Sequence, residues 1–257
     1  LEILDANLRE AASLYGDHRN PYTFQDYSVY CLCQDKEGGI WAGTYFAGVA
    51  YSWGNGTEPV KRYYANPESR GLGHYVREIV SDADGNLWIG TESKSLFHYV
   101  PQSDKIEPVW NDRLLSSNIH GLCCDGDFVW VGTYEQTRSL VRIHRRTLAS
   151  KSYPSAGKEI YTICRTSGGE LWIGTTSGLK RYDRATDRFV GDSAIRSHVY
   201  HIREDSSGNI WAATYSDGLY KYDAMKDAWR HYLYAERDTA SLAANKVLSV
   251  FEDSRNR

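Results

Sequence analysis

No stretch of this 257-residue chain approaches the length and apolarity of a membrane span, and no signal peptide opens it. Positive charge is not gathered into a stripe. The 30 Lys and Arg stand against 33 Asp and Glu, interspersed, for a net charge of −3, which argues against a nucleic acid partner. The run Arg142 to Arg146 is local and reads as a solvated outer strand. A phosphate-cradling glycine loop, a Gly-x-Ser-x-Gly elbow and a cysteine–histidine signature are all missing. Sustained helical spacing is missing too, hinted at only around Leu4, Leu8 and Leu14.

Cysteine is scarce and odd in number: Cys31, Cys33, Cys123, Cys124 and Cys164. Free, buried thiols are expected, because Cys33, Cys123 and Cys164 fall at one recurring slot, and equivalent slots of neighbouring units lie beyond disulfide reach. They leave the redox compartment open.

What is present is repetition. One phrase occurs five times: Ile40-Trp41-Ala42-Gly43-Thr44, Leu87-Trp88-Ile89-Gly90-Thr91, Val129-Trp130-Val131-Gly132-Thr133, Leu171-Trp172-Ile173-Gly174-Thr175 and Ile210-Trp211-Ala212-Ala213-Thr214. The tryptophans recur every 39 to 47 residues, enough for a small sheet and too short for an independent domain. An apolar run precedes each phrase, as in Val29 to Cys33 or Val76 to Val80, across a tight turn such as Asp82-Ala83-Asp84-Gly85. Gly or Asn supplies the positive φ such a hairpin needs, and Asp caps it. A third run (Gly178 to Asp183, Gly218 to Asp223) and a more polar fourth (Arg188 to Val190, Trp229 to Tyr232) complete the period.

Four short strands per period predict an all-β chain, a β-propeller of four-stranded antiparallel blades. Five complete blades are expected over residues 28–234. Residues 1–27 read as the end of a partial blade and a linker, and residues 235–257 as a linker and the first strand of a further, truncated blade. The Asp-to-Trp spacing places a sixth tryptophan at position 259, so the chain reads as cut from a longer propeller, one of seven blades.

The unit Val-x-x-Ile-x-x-Asp-x-x-Gly-Asn-Leu-Trp-Ile-Gly-Thr from Val76 to Thr91, nearly repeated from Val199 to Thr214 and followed by Gly-Leu-x-x-Tyr-Asp from Gly178 and Gly218, resembles the two-component-regulator propeller repeat. The likeness extends from about residue 25 to 253, departing at Thr166 for Asp, at Ala213 for Gly and at the short turn Asp125-Gly126-Asp127. The resemblance implies the periplasmic sensor region of a hybrid two-component system, in which the histidine kinase and response regulator lie elsewhere in the chain. It implies a non-enzymatic fragment that senses a glycan or other small ligand. The implied partners are an oligosaccharide or small molecule, the neighbouring propeller and signalling domains, and a second copy through the parent chain. No cofactor and no nucleic acid is implied.

Propeller ligand sites lie where inner strands and top loops meet the central channel. The second residue of each inner strand reads Tyr30, Arg77, His120, Tyr161, Tyr200 and Leu248, and the loops after the phrases add Tyr45, Phe46, Glu92, Lys94, Tyr134, Glu135, Arg138, Tyr215 and Asp217. Tyr faces stack on sugar rings while Arg and His address anionic groups. The candidate ligand-binding set is therefore Tyr30, Arg77, His120, Tyr161, Tyr200, Tyr45, Glu92, Tyr134 and Tyr215. Packing between blades is the competing role for these aromatics. His198 and His201 lack the spacing of a metalloprotease helix, and Asp82 to Asn86 reads as a capped turn rather than a calcium loop. No catalytic pair or metal set stands out. A propeller lyase or glycosidase and a protein-binding scaffold remain the alternative functions.

Overall fold

A computed structural model describes residues 2–4, 10–13, 28–53, 61–63, 75–92, 96–109, 117–135, 139–253 and 255–256. Among them the chain is all-β, with five four-stranded antiparallel sheets, a two-stranded pair, one 3-10 turn at Pro154–Ala156 and no α-helix. It divides into two compact units, 1–126 and 127–257.

The first unit opens with the pair β1 (Glu2–Leu4) and β2 (Glu10–Ser13). Two meanders follow: β3 (Val29–Gln34), β4 (Ile40–Thr44), β5 (Val49–Ser52) and β6 (Lys61–Tyr63), then β7 (Val76–Ser81), β8 (Leu87–Thr91), β9 (Leu96–Val100) and β10 (Lys105–Pro108). The inner strand β11 (Ile119–Asp125) ends the unit. The second unit holds β12 (Phe128–Thr133), β13 (Leu140–His144) and β14 (Ser150–Ser152). Two full meanders follow, β15 (Ile160–Arg165), β16 (Leu171–Thr175), β17 (Gly178–Asp183) and β18 (Arg188–Gly191), then β19 (Val199–Glu204), β20 (Ile210–Thr214), β21 (Leu219–Asp223) and β22 (Ala228–Tyr232). Within each unit successive inner strands pack side by side, β3 on β7, β7 on β11 and β15 on β19.

Each residue of the recurring phrase has a distinct physical task. The tryptophan is buried, Trp41, Trp88, Trp130 and Trp172 being no more than 2% exposed, and a buried indole N–H needs an acceptor. The hairpin aspartate supplies it: Trp41 Nε1 donates to Asp35 at 2.9 Å, Trp88 Nε1 to Asp82 at 3.2 Å and Trp211 Nε1 to Asp205 at 2.8 Å. The same carboxylates accept turn N–H groups, as Asp82 does from Asp84 and Asn86, which is the capped turn expected there. Burial pushes the Asp205 carboxyl up, but the bonds from Asn209 and Trp211 outweigh it and hold the group down at about 2.

The phrase glycine makes room for the next inner strand. A Cβ on Gly90 would stand 2.5 Å from Ile119 Cγ2, and one on Gly174 would stand 2.8 Å from both Val199 Cγ1 and the Val199 carbonyl. The threonine closes the following turn: Thr44 Oγ1 donates to the Gly48 carbonyl at 2.9 Å and accepts from Ala47 N at 3.1 Å, and Thr214 repeats this with Gly218 and Asp217.

Three expectations are modified. Trp211 is half-buried, lining a cleft of about 280 Å³ together with the strand-free segment Val250 to Glu252. The five cysteines are free but half-buried; burial still raises the Cys33 and Cys164 thiols to about 11. Residues 247–253, expected as a strand, pair in no ladder. Instead Val247 N donates to the Thr214 carbonyl and Val250 N to His201 Nδ1. Ser206 binds Glu252 through N and Oγ at 2.7 and 3.0 Å, as Ser167 binds Glu204 at 2.6 and 2.8 Å. The segment therefore lies against β19 as β19 lies against β15, without a partner strand of its own among the described residues.

Where the aspartate is replaced, the indole loses its acceptor. Thr166 occupies the slot before Trp172, and Trp172 Nε1 is buried with no hydrogen-bond partner among the described residues. The turn backbone is otherwise the same, Thr166 N donating to the Glu170 carbonyl as Asp82 N does to Asn86. Thr166→Asp should therefore stabilise the protein by about 1 kcal/mol, raising the thermal midpoint by a few degrees. A midpoint that stays or falls would show that the aspartate's hydrogen bonds do not govern this turn.

Candidate functional site

The first hairpins of four sheets share an irregularity that places the candidate residues. Pairing passes from Val29↔Thr44 directly to Cys31↔Gly43, from Val76↔Thr91 to Glu78↔Gly90, from Ile160↔Thr175 to Thr162↔Gly174, and from Val199↔Thr214 to His201↔Ala213. Tyr30, Arg77, Tyr161 and Tyr200 are thus the extra, unpaired residues of β-bulges. A bulge bends its strand and re-aims the side chain it carries.

In the first unit the bulged residues meet the loop residues. Tyr30 stacks on Tyr45 with ring centroids 5.3 Å apart, and the Arg77 guanidinium lies 4.5 Å from the Tyr30 ring. Arg77 Nε stands 2.7 Å from Glu92 Oε1, and His120 Nε2 lies 3.8 Å from the same oxygen. Burial, with Arg77 adding to it, pushes the His120 imidazole down to about 4, so it is neutral at pH 7. Tyr45 also packs on Phe46 and Tyr75. Glu78, which follows Arg77 in β7, is pushed up to about 8 by burial.

In the second unit the candidates form an aromatic platform. Tyr161 meets Tyr134 at 5.6 Å and Tyr200 at 5.1 Å, and Tyr200 meets Tyr215 at 6.2 Å. His198 fills the middle, 4.2 Å from Tyr161 and 5.7 Å from Tyr215, and Lys246 Nζ lies 4.5 Å from the Tyr215 ring. Tyr134 and Tyr215 are 42% and 45% exposed. His198 Nε2 is buried with no hydrogen-bond partner among the described residues. His201 is turned away into its bond with Val250, so the two histidines serve different surroundings.

All nine candidate residues therefore fall into two side-chain clusters, one per unit. Leu248 is 46% exposed and joins neither group in a ring contact. Asp217 accepts instead from Tyr220 at 2.6 Å. Lys94 and Arg138 lie outside the described residues. Sequence reasoning missed Tyr75, His198 and Lys246. Each directly precedes the first apolar residue of its inner run, and the Tyr75 and His198 carbonyls accept from the N–H of Glu92 and Tyr215. That slot, compared across repeats, was the available signal.

Four segments, residues 23–46, 71–93, 154–177 and 195–216, match the model of the two component regulator propeller family. Over these four segments the chain is similar to that family, each match ending just past a Trp phrase. It is similar to histidine kinase P4 of Formosa agariphila, 25% identical over 228 residues, covering 80% of this chain and 16% of that protein. Among solved structures, PorZ, a surface component of the Porphyromonas gingivalis type-IX secretion system, has a TM-score of 0.69 at 18% identity, covering 91% of this chain and 37% of that one. The extracellular domain assigned to a hybrid two component system of B. thetaiotaomicron has a TM-score of 0.58 at 20% identity, covering 89% and 36%. Virginiamycin B lyase from Staphylococcus aureus, with Quinupristin, has a TM-score of 0.65 at 14% identity, covering 84% and 73%. These likenesses establish the fold class, an all-β chain of the β-propeller kind. The chain spans about a sixth of its kinase relative. No helix among the described residues is long and apolar enough to cross a membrane.

The His120 geometry sets a pH dependence. Its folded value of about 4 lies below the 6.5 of an unperturbed imidazole, so the unfolded chain binds the proton first. The stability tied to neutral His120 is complete above about pH 6.5 and is lost as pH falls through 4. Urea unfolding at pH 7 and pH 4.5 should show His120→Gln losing less stability on acidification than the parent. Equal losses would contradict the assignment.

Proposed function

We propose that this chain is part of the extracytoplasmic, periplasmic sensor region of a hybrid two-component signalling protein. It binds an oligosaccharide or similar small ligand without turning it over. The bound state is relayed to a histidine kinase elsewhere in the parent chain through a change in how neighbouring domains are arranged. The repeat family and the kinase relative support the signalling context.

The observation that carries the ligand reading is the tyrosine platform of the second unit, Tyr134, Tyr161, Tyr200 and Tyr215 around His198. Its half-open rings, Tyr134 and Tyr215 above all, offer faces for sugar stacking around the imidazole of His198. The Arg77–Glu92 pair beside Tyr30 and His120 adds a charged subsite in the first unit. Calorimetry against an oligosaccharide panel tests both. Tyr161→Ala and Arg77→Ala should each weaken binding by about 1–3 kcal/mol with little change in thermal midpoint. Full affinity in both variants would remove these clusters from the site, and turnover of any panel member would favour the lyase or glycosidase reading.

A further inference from the structure

A separate cleft of about 500 Å³ opens in the first unit between the β3–β6 and β7–β10 sheets, beside the Asp35 and Asp84 turns. That volume is in the range of small-molecule sites, roughly 300–1,000 Å³. None of the nine ring and loop candidates lines it.

Its lining departs from the repeat in a way the fold does not require. Opposite the phrase tryptophan, the third strand of the last three sheets carries a cation, Arg142 opposite Trp130, Arg181 opposite Trp172 and Lys221 opposite Trp211, while the second sheet has His98 opposite Trp88. In the first sheet Tyr51 stands opposite Trp41 instead. Five residues after the turn glycine, Asp183 and Asp223 cap their own turns, accepting from Ala185 and Thr186, and from Met225 and Lys226. The first sheet has Trp53 there, 45% exposed and held by Tyr51 at 5.2 Å, edge to face. Where the last two sheets have a turn cap and a cation, the first sheet has two aromatic rings, one of them left open at a cleft.

The charges lining the cleft are predominantly negative. Four carboxylates line the cleft, Asp35, Glu37, Asp84 and Asp104, against the ammonium groups of Lys36 and Lys61. Both ammonium groups are engaged, Lys61 with Asp104 and Lys36 with the Ala83 carbonyl. Glu37 and Asp84 are exposed. An open indole face in a cleft lined by four carboxylates and two ammonium groups suits a positively charged group through ring quadrupole and Coulomb attraction together.

We propose that this cleft is a second ligand site that takes an organic cation, an ammonium or guanidinium group seated on the Trp53 ring with Glu37 and Asp84 beside it. It is independent of the ligand clusters above, so either reading can fail alone. The test titrates the folded protein with choline, with agmatine, and with 3,3-dimethylbutan-1-ol, the neutral isostere of choline. Cellobiose serves as a neutral sugar. Choline or agmatine should bind saturably, at least about tenfold more tightly than the neutral isostere, and more weakly as salt is raised. Trp53→Ala should weaken the cation about tenfold, Trp53→Phe less, and Glu37→Gln and Asp84→Asn should each weaken it. Trp53→Phe and the carboxylate variants keep the test open if Trp53→Ala is poorly folded. Equal binding of the isostere, binding of cellobiose alone, no saturable binding, or a cation affinity indifferent to these substitutions would each overturn the proposal.

Discussion

The buried tryptophan of the recurring phrase is the constraint on which the rest of the structure depends, and in three sheets its indole is bonded to the hairpin aspartate. In these three of the five four-stranded sheets that bond joins the turn between the first two strands to the sheet's centre, so that one carboxylate satisfies the turn N–H groups and the indole at once. Burying a carboxylate is costly unless it is fully hydrogen-bonded. Here the bonds outweigh that cost, since Asp82 and Asp205 are both held below the ordinary carboxylate range despite burial. Among the described residues Trp130 and Trp172 have no such acceptor and keep their rings buried by packing, Trp130 against Tyr153 and Phe189 and Trp172 near Tyr222.

With the turn fixed, the phrase glycine and threonine determine what the inner strands present. The missing Cβ lets the first residue of the next inner strand seat on the phrase, as Ile119 does on Gly90. The threonine holds the following turn closed. The inner strands of a unit therefore run side by side at close range, and the bulge at the second position turns one side chain per strand toward its neighbours. Contacts such as Tyr30 with Arg77 and Tyr161 with Tyr200 follow from that shared register. A structural repeat thus produces functional variety at one slot while every other slot of the hairpin is held to a narrow choice.

Most of the fold was legible because its signals are local: phrase, turn and strand period recur within about 40 residues, the length of one propeller blade. The composition of the clusters was legible as well, since the second inner-strand position varies among Tyr, Arg and His where aliphatic residues would fill a core. The bulges were not, because a skipped pairing is a property of two strands and has no composition of its own. Nor was the split of the candidates into a charged group with a neutral histidine and an almost uncharged tyrosine platform, which depends on the burial of His120 and the placement of His198. The half-buried Trp211 and cysteines, and the unpaired segment at residues 247–253, likewise reflect which neighbours pack against them.

The central claim is that indole and aspartate are energetically coupled, and a double-mutant cycle measures that directly. Asp82→Ala and Trp88→Phe, singly and together, remove the acceptor, the N–H donor, and both; urea unfolding gives the four stabilities. The account predicts a coupling of about 1–2 kcal/mol, with the double variant losing less than the two single losses combined. Strict additivity would contradict it, leaving the aspartate as a turn cap and the tryptophan as packing, with no bond between them that the fold relies on.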